Sequence, residues 1–482
     1  MDNIMKTAYI VVDLGFGDAG KGSITDYLVH SCEISAIVRY TGGPHAAHHV
    51  VRRDGLSHAF CQFGSTFQPG IRSHLASGMI VKPENLMYEG QALESKGFSN
   101  PFAYLSINPL SRLVTSYHAM LCQMKEVSRG DQRHGTVGIG VGEAVMESEE
   151  TPDLILRVGD LYQSNILHQK FRCHFENKQR QAQAILRECV GSPLHQEVRA
   201  VYESFMEQVQ MNDVLALYQR FVDSLPITLC SDSEFIEQVT GLQGDIIFEG
   251  AHATLLDRDH GYYPYVAKTD TTAKEAFNIL DQSTFNGNTS ILGVVRALGY
   301  RHGPGPFVTE DSRLSTLFNE KHNKSNEWQG NIRYGWFDLL AIRHAVCINQ
   351  RVDVIALTML DHLSSIGPFR VCLSYEYCGS DYQHLDTYFE FTVTTSGRIK
   401  ITGIKPAHTQ RTDTLSRLLF DCVPWDWLHF DGRKDRAEEF IRFLESQDGL
   451  GLSVQITSTG PTAFDKLERG PVGMVTWREV KQ

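Results

Sequence analysis

The run Gly15-Phe-Gly-Asp-Ala-Gly-Lys-Gly22 constrains this chain more than any other feature, because it sets four glycines and a lysine directly after the apolar stretch Thr7-Ala-Tyr-Ile-Val-Val-Asp13. That stretch is short and rich in β-branched residues and reads as a buried strand. From Ser23 to His30 the apolar residues Ile24, Tyr27 and Leu28 recur at helical spacing, and Ala36-Ile-Val-Arg-Tyr40 returns to strand character. A strand, a glycine-rich loop and a helix N-terminus make an anion cradle, in which backbone N–H groups approach phosphate oxygens and the lysine adds a mobile cation. Gly22 stands where a regular phosphate loop carries the Ser or Thr that binds Mg²⁺. Asp18 is the candidate for that ligand.

Further strand candidates lie at Asp245 to Phe248, Thr289 to Val295, Val354 to Leu357 and Ser453 to Thr457, most of them ending in Gly or polar loops. Loops at strand ends are where α/β sheets carry function. Residues 179–225 are rich in Gln, Glu, Arg, Leu and Val at helical spacing, broken near Gly191-Ser-Pro193, and read as a peripheral helical pair. No repeat, low-complexity tract or linker divides the sequence, so residues 1–482 read as one interwoven domain.

The formal net charge of −12 argues against a protein that neutralises nucleic-acid phosphates. No apolar run is long enough to span a membrane, and Met1 to Ala8, with Asp2 and Lys6, lacks the apolar core of a leader, so a cytoplasmic location is expected. Ten cysteines are scattered from Cys32 to Cys422 without a CxxC pair, which suits small, mostly buried thiols in a reducing compartment rather than a structural zinc site.

The motifs carry a resemblance. Gly17-Asp-Ala-Gly-Lys-Gly22 resembles the Gly-Asp-Glu-Gly-Lys-Gly loop of adenylosuccinate synthetases. Arg39-Tyr-Thr-Gly-Gly-Pro-His-Ala-Ala-His48 is similar to that family's Arg-Tyr-Gln-Gly-Gly-His-Asn-Ala-Gly-His, and Gly78-Met-Ile-Val-Lys-Pro-Glu-Asn-Leu86 to its Gly-x-Val-x-x-Pro-x-x-Leu. Phe248 to Asp257, Asp259 to Gly261, Gly303 to Phe307 with Thr309-Glu310, Gly335 to Asp338, Leu360-Asp361 and Ser458 to Pro461 resemble further family segments, so the likeness spans nearly the whole chain.

The resemblance implies a large α/β domain around a mostly parallel central sheet with flanking helices and a P-loop-like GTP-binding loop, assembled as a homodimer. It implies a GTP-dependent, Mg²⁺-requiring ligase that phosphorylates the 6-oxygen of a purine compound and replaces it with an amine such as aspartate. A phosphorylated oxygen leaves far more readily than an amide-like one. By resemblance Asp18 removes the purine N1 proton and ligates Mg²⁺ with the backbone carbonyl of Ala47, His48 assists phosphoryl transfer and Lys21 contacts the phosphates. The GTP-binding set is Gly17, Ala19, Gly20, Gly22, Ser23, Leu360, Asp361, Ser458, Thr459 and Gly460, with Asp361 reading guanine. Met359 replaces the family's lysine beside it.

The acceptor side departs from the family. His45, Val137, Ala267 and about Asp153 stand where the family places an Asn, two Thr and a partner-donated Arg around the 5′-phosphate, and no Arg lies between Arg133 and Arg157. Thr136 is kept, while His49 and Lys268 are nearby basic residues. His252 replaces a Gln beside the reacting oxygen. The acceptor-site set is therefore His45, Ala46, Thr136 and His252. Of the Arg-rich run that holds aspartate's carboxylates, only Arg333 remains, after Ile332, with Lys324 as a further cation in the loop. Two other readings stay open: an authentic synthetase acting on inosine monophosphate and aspartate, and a catalytically inactive GTP-binding regulatory protein.

Overall fold

The computed structural model describes residues 5–318, 328, 330–406, 411–431 and 435–469. Lys324 lies outside them. In chain order the strands used below are β1 (Thr7–Asp13), β2 (Ile34–Arg39), β3 (His48–Val51), β4 (Arg72–Leu75), β5 (Leu105–Ile107), β6 (Thr228–Leu229), β7 (Asp245–Glu249), β8 (Asn288–Arg296), β9 (Gly299–His302), β10 (Ile332–Gly335), β11 (Val354–Thr358), β12 (Ser453–Ser458) and β13 (Lys466–Glu468). The helices are α1 (Lys21–Ser31), α2 (Ser116–Ser128), α3 (Val141–Glu150), α4 (Ser164–Glu188), α5 (His195–Gln208) and α6 (Met211–Ser224).

Among the described residues, ten strands form the central sheet in the order β13-β12-β11-β8-β1-β7-β2-β4-β5-β6. Every pairing is parallel except that of β12 with the edge strand β13. The apolar character of β1 follows from its central place, since a strand covered on both faces needs no polar alternation. Ala8, Ile10 and Val12 join the largest core on one face. Tyr9 and Val11 pack on the other face in a core shared with Ile24, Tyr27 and Leu28 of α1.

Between residues 164 and 224 the chain forms three helices rather than a pair. The break near Gly191 is where the sequence places it, and a second falls at Val209-Gln210. Ala182, Cys189 and Val198 of this segment pack on Met120, Leu121 and Met124 of α2. A polar knot ties the same helices together. Buried Glu147 of α3 lies 2.8 Å from His118 Nε2, 3.2 Å from His174 Nδ1 and 2.9 Å from Lys178 Nζ. The cysteines are free thiols, and Cys173, Cys347 and Cys378 are exposed, so fewer are buried than their composition suggests.

The topology gathers one set of strand ends. Asp13 ends β1, Arg39 ends β2, Glu249 ends β7, Arg296 ends β8, Thr358 ends β11 and Ser458 ends β12. These are the carboxyl ends of parallel strands, the edge where open α/β sheets place ligands.

Candidate active site

The glycine-rich loop is built around a carboxylate to which the sequence assigned no part. Asp13 Oδ1 accepts the Gly15 N–H at 2.9 Å, and its Oδ2 accepts the Ala19 N–H and the Lys21 ammonium, both at 3.0 Å. One buried side chain therefore closes the loop on itself. Gly17, Asp18 and Gly20 have φ of 106°, 54° and 95°, so the turn needs left-handed backbone at three of four successive positions. The Thr358 hydroxyl donates to the Ala19 carbonyl at 2.7 Å and pins the loop to β11. Ser23 donates its hydroxyl to the Gly20 carbonyl at 3.1 Å.

Lys21 also donates to the His252 carbonyl at 2.6 Å. The glycine after it has a steric reason. A Cβ on Gly22 would lie 2.6 Å from His48 Cβ and 3.1 Å from the His48 carbonyl carbon, so a Walker-type Ser or Thr has no room.

Asp18 sits at the crest of the loop. Its Oδ2 lies 2.8 Å from His302 Nε2, and its backbone carbonyl accepts Arg296 Nη1 at 2.9 Å. Burial pushes its carboxyl up, but the hydrogen bond and charge of His302, with Arg296 and Lys21, outweigh that and leave it below the usual carboxylate range.

His48 opens β3 with Nδ1 2.7 Å from Glu249 Oε1. Glu249 Oε2 accepts the Ser65 N–H at 3.1 Å and lies 3.9 Å from Arg39 Nε. Burial pulls the His48 imidazole down and favours its neutral form. His48 and Arg39 hold the Glu249 carboxyl well below its usual range against the opposing effect of burial. The pair is thus a neutral imidazole donating Nδ1–H to a carboxylate, which leaves the lone pair on Nε2.

The acceptor-side residues come together as a histidine pair. His45 Nε2 and His252 Nε2 are 2.7 Å apart, with ring centroids at 4.5 Å. Burial depresses both rings, so one neutral imidazole donates to the other, and both buried Nδ1 atoms are without a hydrogen-bond partner among the described residues. His252 holds φ of 59°. Ala46 is buried, Ala47 exposed, and Val137 and Ala267 half-buried. The Thr136 hydroxyl accepts the Gly138 N–H at 3.4 Å. Lys268 places its ammonium 4.8 Å from the Tyr263 ring centroid.

Arg333 differs from the expectation that its fork faces an amine donor. It donates to the carbonyls of Gly303 at 3.0 Å and Gly305 at 2.8 Å, and to the Glu310 carboxylate at 2.8 Å. The guanidinium braces the 303–310 turn because three acceptors there match its planar donors.

On the other side of the loop, the Leu360 N–H donates to the Ser458 carbonyl at 3.1 Å, which joins the ends of β11 and β12. Ser458 Oγ donates to the Gly460 carbonyl at 3.1 Å, and the Thr459 N–H to the Asp465 carbonyl at 3.1 Å. The Lys466 ammonium, pulled down to about 8 by burial, donates to the carbonyls of Gly460 and Thr462, both at 2.9 Å. The Asp361 side chain is 44% exposed beside this loop, and Met359 before it holds φ of 58°.

A phosphate cradle, an ionised carboxylate at its crest and a neutral imidazole line one sheet edge, an arrangement suited to phosphoryl transfer coupled to proton movement. The family model for adenylosuccinate synthetase matches residues 10–465. The chain belongs to the adenylosuccinate synthetase family. It is 30% identical over 481 residues to the adenylosuccinate synthetase of Caldicellulosiruptor bescii, covering 96% of this chain and 99% of that one. It is 29% identical over 463 residues to that of Alkalilimnicola ehrlichii, covering 95% and 96%.

Its fold is like that of the fully ligated adenylosuccinate synthetase from Plasmodium falciparum, with a TM-score of 0.73 at 19% identity over 96% of this chain and 99% of that one. It is also like the cyanophage S-2L succinoaminodeoxyadenylate synthetase bound to dGMP and dATP as an energy donor, at 0.54 and 15% over 96% and 95%. Members of the adenylosuccinate synthetase family are GTP-dependent ligases that form C–N bonds, and this chain is an enzyme of that class, a ligase of purine metabolism. Among the described residues no helix is long and apolar enough to cross a membrane.

Proposed function

We propose that this synthetase-family enzyme uses GTP to phosphorylate the 6-oxygen of a purine compound and then exchanges it for an amine such as aspartate, on an acceptor other than the usual purine 5′-monophosphate. The reading rests on one observation above others: Asp18 and His48 each have a buried or braced partner that sets their proton state, His302 for Asp18 and Glu249 for His48. Asp18, ionised, takes the N1 proton. His48, its Nδ1–H given to Glu249, presents the Nε2 lone pair as a proton acceptor beside the oxygen under attack, and Lys21 steadies the phosphates.

Mg²⁺ suits the donors this chain offers. The Asp18 carboxylate and the exposed Ala47 carbonyl are hard oxygens, and the low carboxyl pKa keeps Asp18 in its ligand form. An ion held there would supply positive charge to offset that of the transferring phosphoryl group. Gly17, Ala19, Gly20, Gly22 and Ser23 then wrap the phosphates, while Leu360, Asp361, Ser458, Thr459 and Gly460 hold the guanine.

The departure at the acceptor is supported by His45 and His252, whose Nε2 atoms engage one another where a phosphate-binding Asn and a Gln are expected. The cyanophage enzyme bound to dGMP and dATP is a relative of the same fold with other purine nucleotides in it. Family resemblance further supports reading residues 1–482 as one unit that works as a homodimer in the cytoplasm. The test is turnover by the purified chain with GTP, Mg²⁺ and aspartate on inosine monophosphate, on guanine and deoxyguanine nucleotides and on unphosphorylated nucleosides, with products read by mass. Ordinary turnover of inosine monophosphate overturns the divergent acceptor.

A further inference from the structure

We infer that His302 is a positioning residue for Asp18, holding the loop-crest carboxylate in its working orientation; this rests on the proposed ligase reading. Asp18 has φ of 54°, a left-handed conformation that residues other than glycine rarely adopt. Two contacts from neighbouring strands meet it there. Arg296, the last residue of β8, donates to its backbone carbonyl at 2.9 Å, and His302, the last residue of β9, donates Nε2–H to its Oδ2 at 2.8 Å. An ionised carboxylate only accepts, so His302 is the donor.

The imidazole is itself fixed by its strand. Tyr300, two residues earlier on the same face, sets its ring edge-on to His302 with centroids 5.2 Å apart, and the Arg296 guanidinium lies 4.2 Å from the Tyr300 ring centroid. Arg296, Tyr300 and His302 thus form a stack whose two polar ends both close on Asp18. The strand is held in turn by pairing with β10, where His302 stands opposite Ile332 and Arg301 opposite Arg333. Arg301 and Arg333 together donate to the carbonyls of Gly303, Pro304, Gly305 and Pro306, so the turn after His302 is braced from both sides.

This geometry makes His302 part of a frame reaching from the β9–β10 pair to the phosphate loop. With one oxygen of Asp18 committed to a ring packed edge-on against Tyr300, the plane of the carboxylate is set before any substrate arrives. Binding energy is then not spent on orienting it.

The experiment compares His302→Leu, which removes the donor, with His302→Gln, which returns an N–H at similar reach. Expected is a fall in kcat of about 10- to 100-fold for Leu with the KM for GTP within about twofold, and recovery of most of that loss by Gln. A second readout needs no turnover: in ¹⁵N-histidine NMR spectra of the nucleotide-free enzyme, Asp18→Asn should move the His302 Nε2 resonance, and an unmoved resonance overturns the contact. An active wild type whose Leu variant keeps full kcat, or whose Gln variant falls as far as Leu, overturns the positioning role alone. A wild type inactive on every acceptor overturns the ligase reading, and the positioning role with it.

Discussion

Glu249 Oε1 lies 2.7 Å from His48 Nδ1, although 201 residues separate the two in the chain. The contact joins the end of β7 to the start of β3 and decides which imidazole nitrogen faces the reaction. Glu249→Gln removes the charge that Arg39 and His48 share. We expect a stability loss of about 3 kcal/mol, because Arg39 is left buried beside a neutral amide. Turnover should fall about 10²- to 10⁴-fold as the imidazole loses its fixed tautomer. Urea unfolding and steady-state rates measure the two effects separately.

Asp18→Asn separates chemistry from binding. The loop is closed by Asp13, which holds Ala19 and Lys21, so the nucleotide cradle survives the change. Turnover should drop about 10²- to 10⁴-fold while titration with a fluorescent GTP analogue stays within a few-fold of wild type. Unchanged turnover would remove Asp18 from the mechanism.

Gly22→Ala tests why the loop lacks a Walker-type Ser or Thr. The added Cβ meets His48 Cβ at 2.6 Å, and the nearby backbone of β3 cannot rotate away. A loss of about 1–3 kcal/mol is expected, read as a lower denaturation midpoint. A neutral result would mean that β3 yields without cost.

Asp361→Ala addresses the guanine. A carboxylate accepting from the ring N–H and the amino group is worth about 1.5–3 kcal/mol per charged hydrogen bond, so the KM for GTP should rise about 10-fold or more. The KM for ATP, which cannot make those bonds, should hardly change. Equal rises for both nucleotides would place the discrimination elsewhere.

Acid should unfold the protein early. Burial pushes His344 and His58 down to about 4, and burial pushes His118 down to about 3 although Glu147 pulls the other way. On unfolding each ring returns to its ordinary value of 6.5. Below that pH the unfolded chain binds protons that the folded chain refuses, until the folded value is reached. Stability that is complete above pH 6.5 is therefore lost as pH falls toward 4, by about 1.4 kcal/mol per pH unit for each such ring. Urea midpoints measured across that interval test it, and a flat profile would contradict neutral burial of these histidines.

The strands that the sequence showed plainly are those whose two faces are both covered. β1, β7, β8, β11 and β12 are apolar runs for that reason, and the structure places them side by side. β4 and β5 escaped notice because they are short and carry His74 and Ser106, which hydrogen-bond to one another at 2.8 Å inside the sheet. The site divides in the same way. Asp18, Lys21, His48 and Asp361 lie in local motifs with recognisable spacing. Asp13, Glu249, Arg296 and His302 act as partners to residues far away in the chain, and no local pattern announces such a pairing. The brace of Arg333 on Gly303 and Gly305 is of the same kind, since it depends on the pairing of β9 with β10.

The place of β1 in the sheet also bears on how the protein is made. It leaves the ribosome well before both of its neighbours, β7 and β8, which begin only at Asp245 and Asn288. At roughly 5–20 residues per second, about 15 to 55 seconds pass before the pair that flanks it has been synthesised. Until Glu249 has been added, a strand apolar on both sides has neither neighbour to pair with. Chaperone capture of the nascent chain up to Arg296 is therefore expected, and expression conditions that slow initiation or supply holdases should raise the soluble yield.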